Sequence, residues 1–197
     1  MKRRIAFFDF DGTITYRDTL LELIRFHAGN FSFYFGFILY APLIVAMKLK
    51  LLSNQTAKEK VIGYFFGRMP LEKFDILCEA FAREALPSLV RNKASHEIRI
   101  LQEKGAQVVV VSASPENWVK RWCDSTGVVC ISSRLEISND RLTGKLLGKN
   151  CHGDEKVSRI KEKFNLADYD EILCYGDTKG DYPMLQLGTI QFFKPFR

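Results

Sequence analysis

Two aspartates one residue apart, Asp9 and Asp11, are the side chains of this sequence best suited to chemistry. They follow the apolar run 5–8 and precede Gly12 and Thr13. Such a run predicts a strand buried on both faces of a parallel sheet, and open α/β sheets bind ligands at the carboxyl ends of their strands. Carboxylates this close repel each other unless a cation relieves them. The segment therefore indicates a hard-metal site with one aspartate free to attack, although a strand followed by an ordinary Asp-Gly turn has the same pattern.

A second acidic segment lies near the other end of the sequence. Asp177 and Asp181 follow the apolar run 172–175 and are separated by a loop that contains Gly180. Acidic residues at the ends of two strands can converge on one Mg²⁺, which prefers oxygen ligands in an octahedral shell. The two segments together therefore predict a magnesium site at one edge of a sheet.

Two further segments supply groups that bind anions. The predicted strand 107–111 ends on Ser112, followed by Ala113 and Ser114, and these small residues let backbone N–H groups approach a phosphate. Pro115 then opens a helix whose positive dipole end lies beside that turn. Lys156, near the start of an amphipathic helix, adds a compact positive charge.

These four segments, in this order, resemble the signature motifs of the haloacid dehalogenase superfamily of phosphohydrolases. The motifs are DFDGT at residues 9–13, VVVVSAS at 108–114, Lys156 and GDTKGD at 176–181. Each part alone is a weak signal, but the combination is specific and extends over nearly the whole chain. The resemblance implies an α/β fold with a Rossmann-like parallel sheet core and an inserted helical C1 cap.

The resemblance also implies a role for each residue of the motifs. Asp9 would be the nucleophile that forms an aspartyl-phosphate, and Asp11 the general acid and base. Ser112, Ala113 and Lys156 would hold the phosphate. The Mg²⁺ cofactor would be bound by Asp9, the backbone carbonyl of Asp11, and Asp177, with Asp181 acting directly or through water. The chemistry is consistent with these residue types, because an acyl phosphate divides one difficult displacement into two easier ones.

Within the superfamily, the chain resembles subfamily IB, the branch similar to phosphoserine phosphatase. The segment CHGDEKV, residues 151–157, is also similar to phosphatidylglycerophosphatases of the C type. Asp18 stands where phosphoserine phosphatases have Glu, and Lys60 lies near the position of their substrate-binding Arg, so we expect both to contribute specificity from the cap. The substrate implied is a phosphorylated small molecule or a phospholipid.

The pattern between the first two motifs is helical. We predict that residues 17–85 form the cap and that residues 1–16 and 86–197 form a discontinuous core domain. The predicted helices are 18–28, 32–52, 54–66, 70–85, 87–105, 116–125 and 154–164. The predicted strands are 5–8, 107–111, 128–132, 172–175 and 190–193, with 134–137 and 142–146 as a hairpin around Asn139 and Asp140.

Residues 28–47 contain no charged side chain. The apolar part is at the lower limit for a membrane span, and Gly36 and Pro42 interrupt it. Three interpretations remain open for this stretch: a full span, a helix buried between cap and core, or an exposed aromatic face over residues 31–47 that contacts a membrane or covers a lipid-like substrate.

Composition restricts the setting and the partners. The net charge of +6 favours an anionic partner. The basic residues are scattered and accompany no nucleic-acid motif, so we expect no nucleic-acid partner. Five cysteines without a CxxC pair indicate reduced thiols, and no signal peptide is recognisable. We therefore expect a cytoplasmic protein, with peripheral membrane association as the alternative.

The leading hypothesis is an Mg²⁺-dependent phosphomonoesterase. The alternatives are a phosphoserine-type phosphatase, a regulatory member of the superfamily with little catalysis, and a membrane-binding module whose phosphatase core is incidental. Dehalogenase chemistry is disfavoured because it needs neither the metal ligands nor the second aspartate.

Overall fold

The computed structural model describes residues 2–31 and 53–197. The strands in this part of the chain are β1 (Arg4–Phe8), β2 (Gln107–Pro115), β3 (Val129–Ser133), β4 (Leu135–Ser138), β5 (Arg141–Leu146), β6 (Glu171–Gly176) and β7 (Ile190–Phe193). Five of them form a parallel sheet in the order β3-β2-β1-β6-β7, and β4 pairs with β5 in a separate antiparallel hairpin. The predicted α/β fold with a Rossmann-like parallel core is confirmed.

Helices connect and flank these strands. They are α1 (residues 19–31), α2 (Asn54–Phe66), α3 (Leu71–Glu84), α4 (Leu86–Leu89), α5 (Asn92–Glu103), α6 (Glu116–Thr126), α7 (Asp154–Lys163) and α8 (Tyr182–Leu185). Single turns of 3₁₀ helix occur at Leu166–Asp168 and Lys179–Asp181. Helices α1 to α3 lie in sequence between the turn after β1 and the return of the chain to the sheet, where we predict the cap.

The central strand β1 is buried on both faces, as its apolar sequence predicts. Alternate side chains point in opposite directions. Ala6 and Phe8 pack into the hydrophobic cluster that includes residues of α1 to α3, whereas Ile5 and Phe7 pack into the cluster that includes residues of α7 and α8. The strand is therefore fixed in position by both cores.

The register of β1 aligns the carboxyl ends of three strands. Phe8 is paired with Val110 of β2 and with Tyr175 of β6. The residues that follow these pairs, Asp9, Ser112 and Asp177, therefore reach the same edge of the sheet. This edge is where parallel α/β sheets place their ligands.

The β4–β5 hairpin is joined to the segment between α2 and α3. Arg68 N–H donates to Leu142 O at 2.8 Å, Leu142 N–H donates to Met69 O at 3.0 Å, and Leu71 N–H donates to Asp140 O at 2.9 Å. Residues 68–71 thus pair with the hairpin as a short third segment. The inserted helices and the hairpin are therefore held together by backbone hydrogen bonds.

The predicted helix 87–105 is interrupted, which is a correction to the sequence analysis. Helix α4 ends at Leu89, Val90 and Arg91 are extended, and α5 begins at Asn92. Tyr16 N–H donates to Leu89 O and Arg91 N–H donates to Ile14 O, both at 2.8 Å. This pairing with the chain after β1 outweighs local helix propensity, as tertiary context often does.

The remaining predicted elements differ from the structure by at most four residues at either end where they are described, and 54–66 and 190–193 match it at both ends. The Asn139-Asp140 turn has φ of 49° and 57°, so it forms a tight hairpin turn without the glycine that usually marks one. The predicted helix 32–52 and nearly all of the apolar stretch 31–47 lie outside the described residues. Within the described ranges, no helix has the length and apolar character needed to cross a membrane.

Candidate active site

Asp9 is held at the end of β1 by the sheet itself. Its N–H donates to Tyr175 O at 2.9 Å, which continues the β1–β6 ladder by one residue. The residue is only 7 % exposed. Its Oδ2 accepts a hydrogen bond from Thr13 Oγ1 at 3.1 Å, and the same hydroxyl lies 3.3 Å from Asp177 Oδ1. Thr13 therefore joins the carboxylates of the first and last motifs.

Lys156 is placed against Asp9 from the first turns of α7. Its Nζ lies 2.5 Å from Asp9 Oδ1 and 2.8 Å from Asp181 Oδ1, and its side chain is 1 % exposed. Burial opposes the charge of this ammonium, but the two carboxylates outweigh burial and raise the pKa of Lys156 above its usual value. Lys156 is therefore a fixed positive charge beside Asp9.

The loop after β6 is organised by Asp181. Its Oδ2 accepts hydrogen bonds from the backbone N–H groups of Asp177 and Thr178, at 3.2 and 2.9 Å, and from Thr178 Oγ1 at 2.8 Å. Burial raises the pKa of Asp181, but Lys156 and these donors outweigh that effect and hold it below its usual value. Asp181 thus both shapes the loop and remains ionised.

Asp9, Asp177 and Asp181 each offer a carboxylate oxygen within 4.8 Å of the others. All three side chains are buried, and such a set of oxygen donors fits Mg²⁺. Burial, together with the charges of Asp181 and Asp11, raises the pKa of Asp9 to about 7 even though Lys156 opposes this. A divalent cation would supply the positive charge needed to keep Asp9 ionised. The residues present therefore fit the predicted cofactor.

The carboxylate of Asp11 points away from this cluster. Its Oδ1 accepts hydrogen bonds from Thr19 N–H and Thr19 Oγ1, each at 2.6 Å, and its Oδ2 accepts from Ser114 Oγ at 2.7 Å. Trp118 Nε1 in turn donates to Thr19 Oγ1 at 2.9 Å. Asp11 thus lies on the side of the site formed by α1 and the end of β2. A general acid in this position would be separate from the carboxylates that bind a metal.

Ser112 and Ala113 close the site at the end of β2. Ser112 is fully buried, and its Oγ accepts from Ser114 N–H at 3.0 Å and lies 3.4 Å from Asp11 Oδ2. The carbonyl of Ala113 accepts a hydrogen bond from Lys58 Nζ at 2.9 Å. The structure thus brings the residues predicted to bind phosphate to the same edge as Asp9.

Among the described residues of the inserted segment, Lys58 is the lysine that reaches the site. Its Nζ also lies 3.3 Å from Asn150 Oδ1. Burial lowers the pKa of Lys58, and the charges of Asp18 and Asp11 oppose that effect. Lys60, the predicted specificity residue, is exposed two residues further along α2. The structure therefore places Lys58 beside the site, and a role of Lys60 in specificity stays a prediction.

Asp18 lies beside Asp11 at the start of α1. Its Oδ1 accepts from Leu21 N–H at 3.1 Å and so caps the start of α1. Removal of water by the surrounding protein, followed by the charge of Asp11, raises its pKa to about 6, whereas Lys58 opposes the shift. Asp18 and Lys58 therefore form a pair of opposite charges near the predicted phosphate site.

Comparison with known proteins agrees with this geometry. The family model of haloacid dehalogenase-like hydrolases matches residues 6–186, a range that contains every one of the four motifs. The chain belongs to this family. It is also 33 % identical over 192 residues to protein CicA of Caulobacter vibrioides, with 96 % of this chain and 85 % of CicA covered. The predicted superfamily and the prediction of an enzyme are confirmed.

Two solved structures share the fold. A protein of unknown function from Bordetella pertussis Tohama I superposes with a TM-score of 0.84, at 21 % identity over 96 % of this chain and 88 % of that one. A phosphoserine phosphatase solved as a phospho-aspartyl intermediate analogue superposes with a TM-score of 0.64, at 21 % identity over 95 % and 84 %. The chain therefore shares its fold with these two proteins.

Sequence reasoning missed several residues of the site. Thr13 and Ser114 stand within the motifs and could have been found there. Thr19 and Lys58 belong to helices whose packing the motifs do not specify. Arg197, whose Nη2 lies 2.5 Å from Asp177 Oδ2, has no sequence signal at all.

Proposed function

We propose that this protein is an Mg²⁺-dependent phosphomonoesterase that works through an aspartyl-phosphate on Asp9. The observation that carries the proposal is the contact of 2.5 Å between Lys156 Nζ and Asp9 Oδ1 beside the buried carboxylates of Asp177 and Asp181. A carboxylate so placed has a cation that can neutralise an incoming phosphoryl group. Family membership supports the same reaction class.

In the first step, an oxygen of Asp9 attacks phosphorus, and the bond from phosphorus to the leaving oxygen breaks. Asp11 gives its proton to that oxygen, which departs as an alcohol. In the second step, water attacks the phosphorus of the aspartyl-phosphate, Asp11 takes the proton of that water, and the Asp9 carboxylate is released with inorganic phosphate. The separation of Asp11 from the metal-binding carboxylates supports this division of roles.

Ser112, the backbone of Ala113 and Lys156 would hold the phosphoryl oxygens. A magnesium ion bound by Asp9, Asp177 and Asp181, with the Asp11 carbonyl, would neutralise charge on those oxygens. Thr13 would hold Asp9 and Asp177 in a fixed mutual orientation through its hydroxyl. We also propose that residues 17–85 act as the cap that covers this site.

The substrate class follows from the groups around Asp11. Lys58 and Asp18 are opposite charges on the side of the site where the leaving group must depart. They favour a substrate whose alcohol carries its own polar or charged groups, which is consistent with a phosphorylated small molecule. A phosphate carried by a lipid is the second candidate, and it rests on the uncharged sequence 28–47 and on the similarity of residues 151–157 to phosphatidylglycerophosphatases of the C type.

Hydrolysis of p-nitrophenyl phosphate, with and without Mg²⁺, tests the reaction class. Asp9→Asn should lower kcat by about a thousandfold or more, because it removes the nucleophile. Asp124→Asn is a matched control, since Asp124 is exposed and pairs only with Lys120 among the described residues. Acid quenching of wild type with ³²P-labelled substrate should trap label on the protein. Full activity of Asp9→Asn, or full activity in excess EDTA, would contradict the mechanism.

A substrate panel separates the two substrate classes and the regulatory alternative. It should contain phosphoserine, glycerol phosphate, lysophosphatidate and phosphatidylglycerol phosphate in mixed micelles. Preference for the soluble esters supports the first candidate, and preference for the lipid esters supports the second. A wild-type protein that binds phosphate but turns over none of these compounds would support a regulatory role instead.

A further inference from the structure

Asp177 presents its two oxygens to different surroundings. Oδ1 lies 3.3 Å from the Thr13 hydroxyl that also binds Asp9, so this oxygen faces the candidate cation site. Oδ2 accepts a hydrogen bond from Arg197 Nη2 at 2.5 Å. The carboxylate is 4 % exposed, so little water competes for either oxygen.

Oδ2 is also confined on a second side. A Cβ added at Gly12 would lie 2.6 Å from Asp177 Oδ2, which means that the glycine backbone packs directly against this oxygen. Between Gly12 and the guanidinium of Arg197, the carboxylate has little freedom to rotate. Its orientation in the site is therefore set from the side opposite the cation.

Arg197 is brought to Asp177 by an ordered segment. Lys194 N–H donates to Gly176 O at 2.8 Å, directly before Asp177 in the chain. The ring of Phe196 stacks nearly parallel to that of Tyr175, with centroids 5.8 Å apart, and to that of Phe8 at 6.4 Å. Arg91 Nη1 lies 3.4 Å from Phe196 O. Contacts with β1, β6 and Arg91 thus hold the segment that carries Arg197.

We propose that Arg197 is a positioning residue for the cation site: it fixes the outer oxygen of Asp177 so that Oδ1 is presented to Mg²⁺. The inference rests on the proposed function, and it assigns a role in that site to a residue outside the family's motifs. Groups that hydrogen-bond a ligating side chain from behind orient it and sustain metal affinity. A planar guanidinium suits this task because its N–H donors have a fixed geometry.

The affinity for Mn²⁺, used as a probe in the absence of substrate, tests this role. It is measured from the EPR signal of the free ion. Arg197→Gln removes the charge and the rigid fork of donors, and should weaken Mn²⁺ binding about 10-fold. Arg99→Gln removes the same charge from an exposed position on α5 and should leave binding unchanged. Thermal melts should show both variants folded.

A second variant tests the anchoring segment while Arg197 stays chemically intact. Phe196→Ala removes the ring that stacks on Tyr175 and Phe8, and should also weaken Mn²⁺ binding, by less than Arg197→Gln. Equal Mn²⁺ affinity in wild type and Arg197→Gln overturns the inference, and so does tighter binding, which would mean that Arg197 competes with the cation. Failure of wild type to bind Mn²⁺ would instead contradict the proposed metal dependence, so the two failures are distinguishable.

Discussion

Thr19 donates two hydrogen bonds to the same oxygen of Asp11, one from its backbone N–H and one from its hydroxyl, each 2.6 Å long. Thr19 is the first residue of α1 and is fully buried. The proposed general acid is therefore held by the first helix of the inserted segment at one oxygen and by Ser114 of β2 at the other. This contact couples the position of the inserted helices to the protonation chemistry of the site.

Thr19→Val should impair the proton transfer step more than phosphate binding. The change keeps the shape and the backbone donor but removes the hydroxyl, so Asp11 loses one of its two bonds to Thr19. Alkyl phosphates need the acid in the transition state, whereas p-nitrophenyl phosphate departs with little protonation. We expect kcat on glycerol phosphate to fall about 10-fold further than kcat on the aryl ester, as part of the 10²–10⁴ that general acids contribute.

Two variants calibrate this measurement. In single-turnover phosphorylation, Asp11→Asn should also react faster with the aryl ester than with the alkyl ester. The difference between the two esters should be larger than in Thr19→Val. Thr143→Val changes an exposed threonine whose hydroxyl bonds Glu136, and should alter neither rate. Equal losses on both esters in Thr19→Val would count against a role for Thr19 in orienting the acid.

The free energy of unfolding should depend on pH through Asp9 when no divalent cation is present. Burial raises the pKa of Asp9 in the folded protein to about 7, from 3.8 in the unfolded chain. Between these values the folded state binds more protons at this group, so its contribution to stability falls as pH rises from about 4 to about 7. At 1.36 kcal/mol per pKa unit, the loss is at most about 4 kcal/mol.

Urea unfolding in EDTA at a series of pH values measures this dependence. Asp9→Asn cannot titrate, so its stability relative to wild type should rise across the same pH range. Asp124→Asn is the control, because it removes one exposed carboxyl from outside the site. Mg²⁺ should stabilise wild type more at pH 8 than at pH 5, since the cation binds the ionised carboxylates. Curves for Asp9→Asn and wild type that stay parallel would disprove the assignment.

The parts of the fold that follow from local patterns were predictable. Each of these patterns can be recognised in a short stretch of sequence: the apolar run of β1, the periodicity of the amphipathic helices and the turn residues. Asp9, Ser112 and Asp177 lie at one edge of the sheet because the carboxyl ends of parallel strands meet there. The order of the motifs along the chain indicates the same arrangement. The sequence therefore predicts that these residues share one edge of the sheet.

The parts that depend on tertiary packing were not predictable. Arg91 breaks a continuous helical pattern because its backbone pairs with residue 14, and no local signal marks that pairing. Lys58 and Lys60 lie about 200° apart around α2, so only one of them can face the site. The motifs do not specify which face of α2 packs against the core, and this choice depends on tertiary packing. Arg197 reaches Asp177 because aromatic rings stack across the sheet, a relationship between residues distant in sequence.

Lys58→Met should raise KM for a substrate with a polar or charged alcohol. The Nζ contacts Ala113 O and Asn150 Oδ1, and its charge faces the side of Asp11 from which the alcohol would leave. Loss of one charge-assisted contact of about 1.5–3 kcal/mol corresponds to a roughly 10- to 100-fold change. Steady-state kinetics on glycerol phosphate and p-nitrophenyl phosphate should show the larger increase for the former.

Lys60→Met is the matched comparison on the same helix. Lys60 is exposed, so we expect its KM values to match wild type. A rise in KM for Lys60→Met without one for Lys58→Met would favour the assignment made from the sequence over the one made from the structure.

Gly144→Ala should destabilise the protein through the contact between α2 and the hairpin. Gly144 has φ of 87°, and a Cβ there would lie 2.5 Å from Gly63 Cα in α2, so backbone atoms would have to separate. Gly148→Ala is the control, because Gly148 has a similar φ of 80° but no atom within 4 Å of an added Cβ. Left-handed backbone strain alone costs about 1 kcal/mol or more in each variant. Gly144→Ala should lose more free energy of unfolding than Gly148→Ala, by about 1–3 kcal/mol as at other overpacked sites. This difference measures the cost of the steric clash with Gly63. Urea unfolding of both variants decides the matter, and equal losses would mean that α2 shifts away from the hairpin without cost.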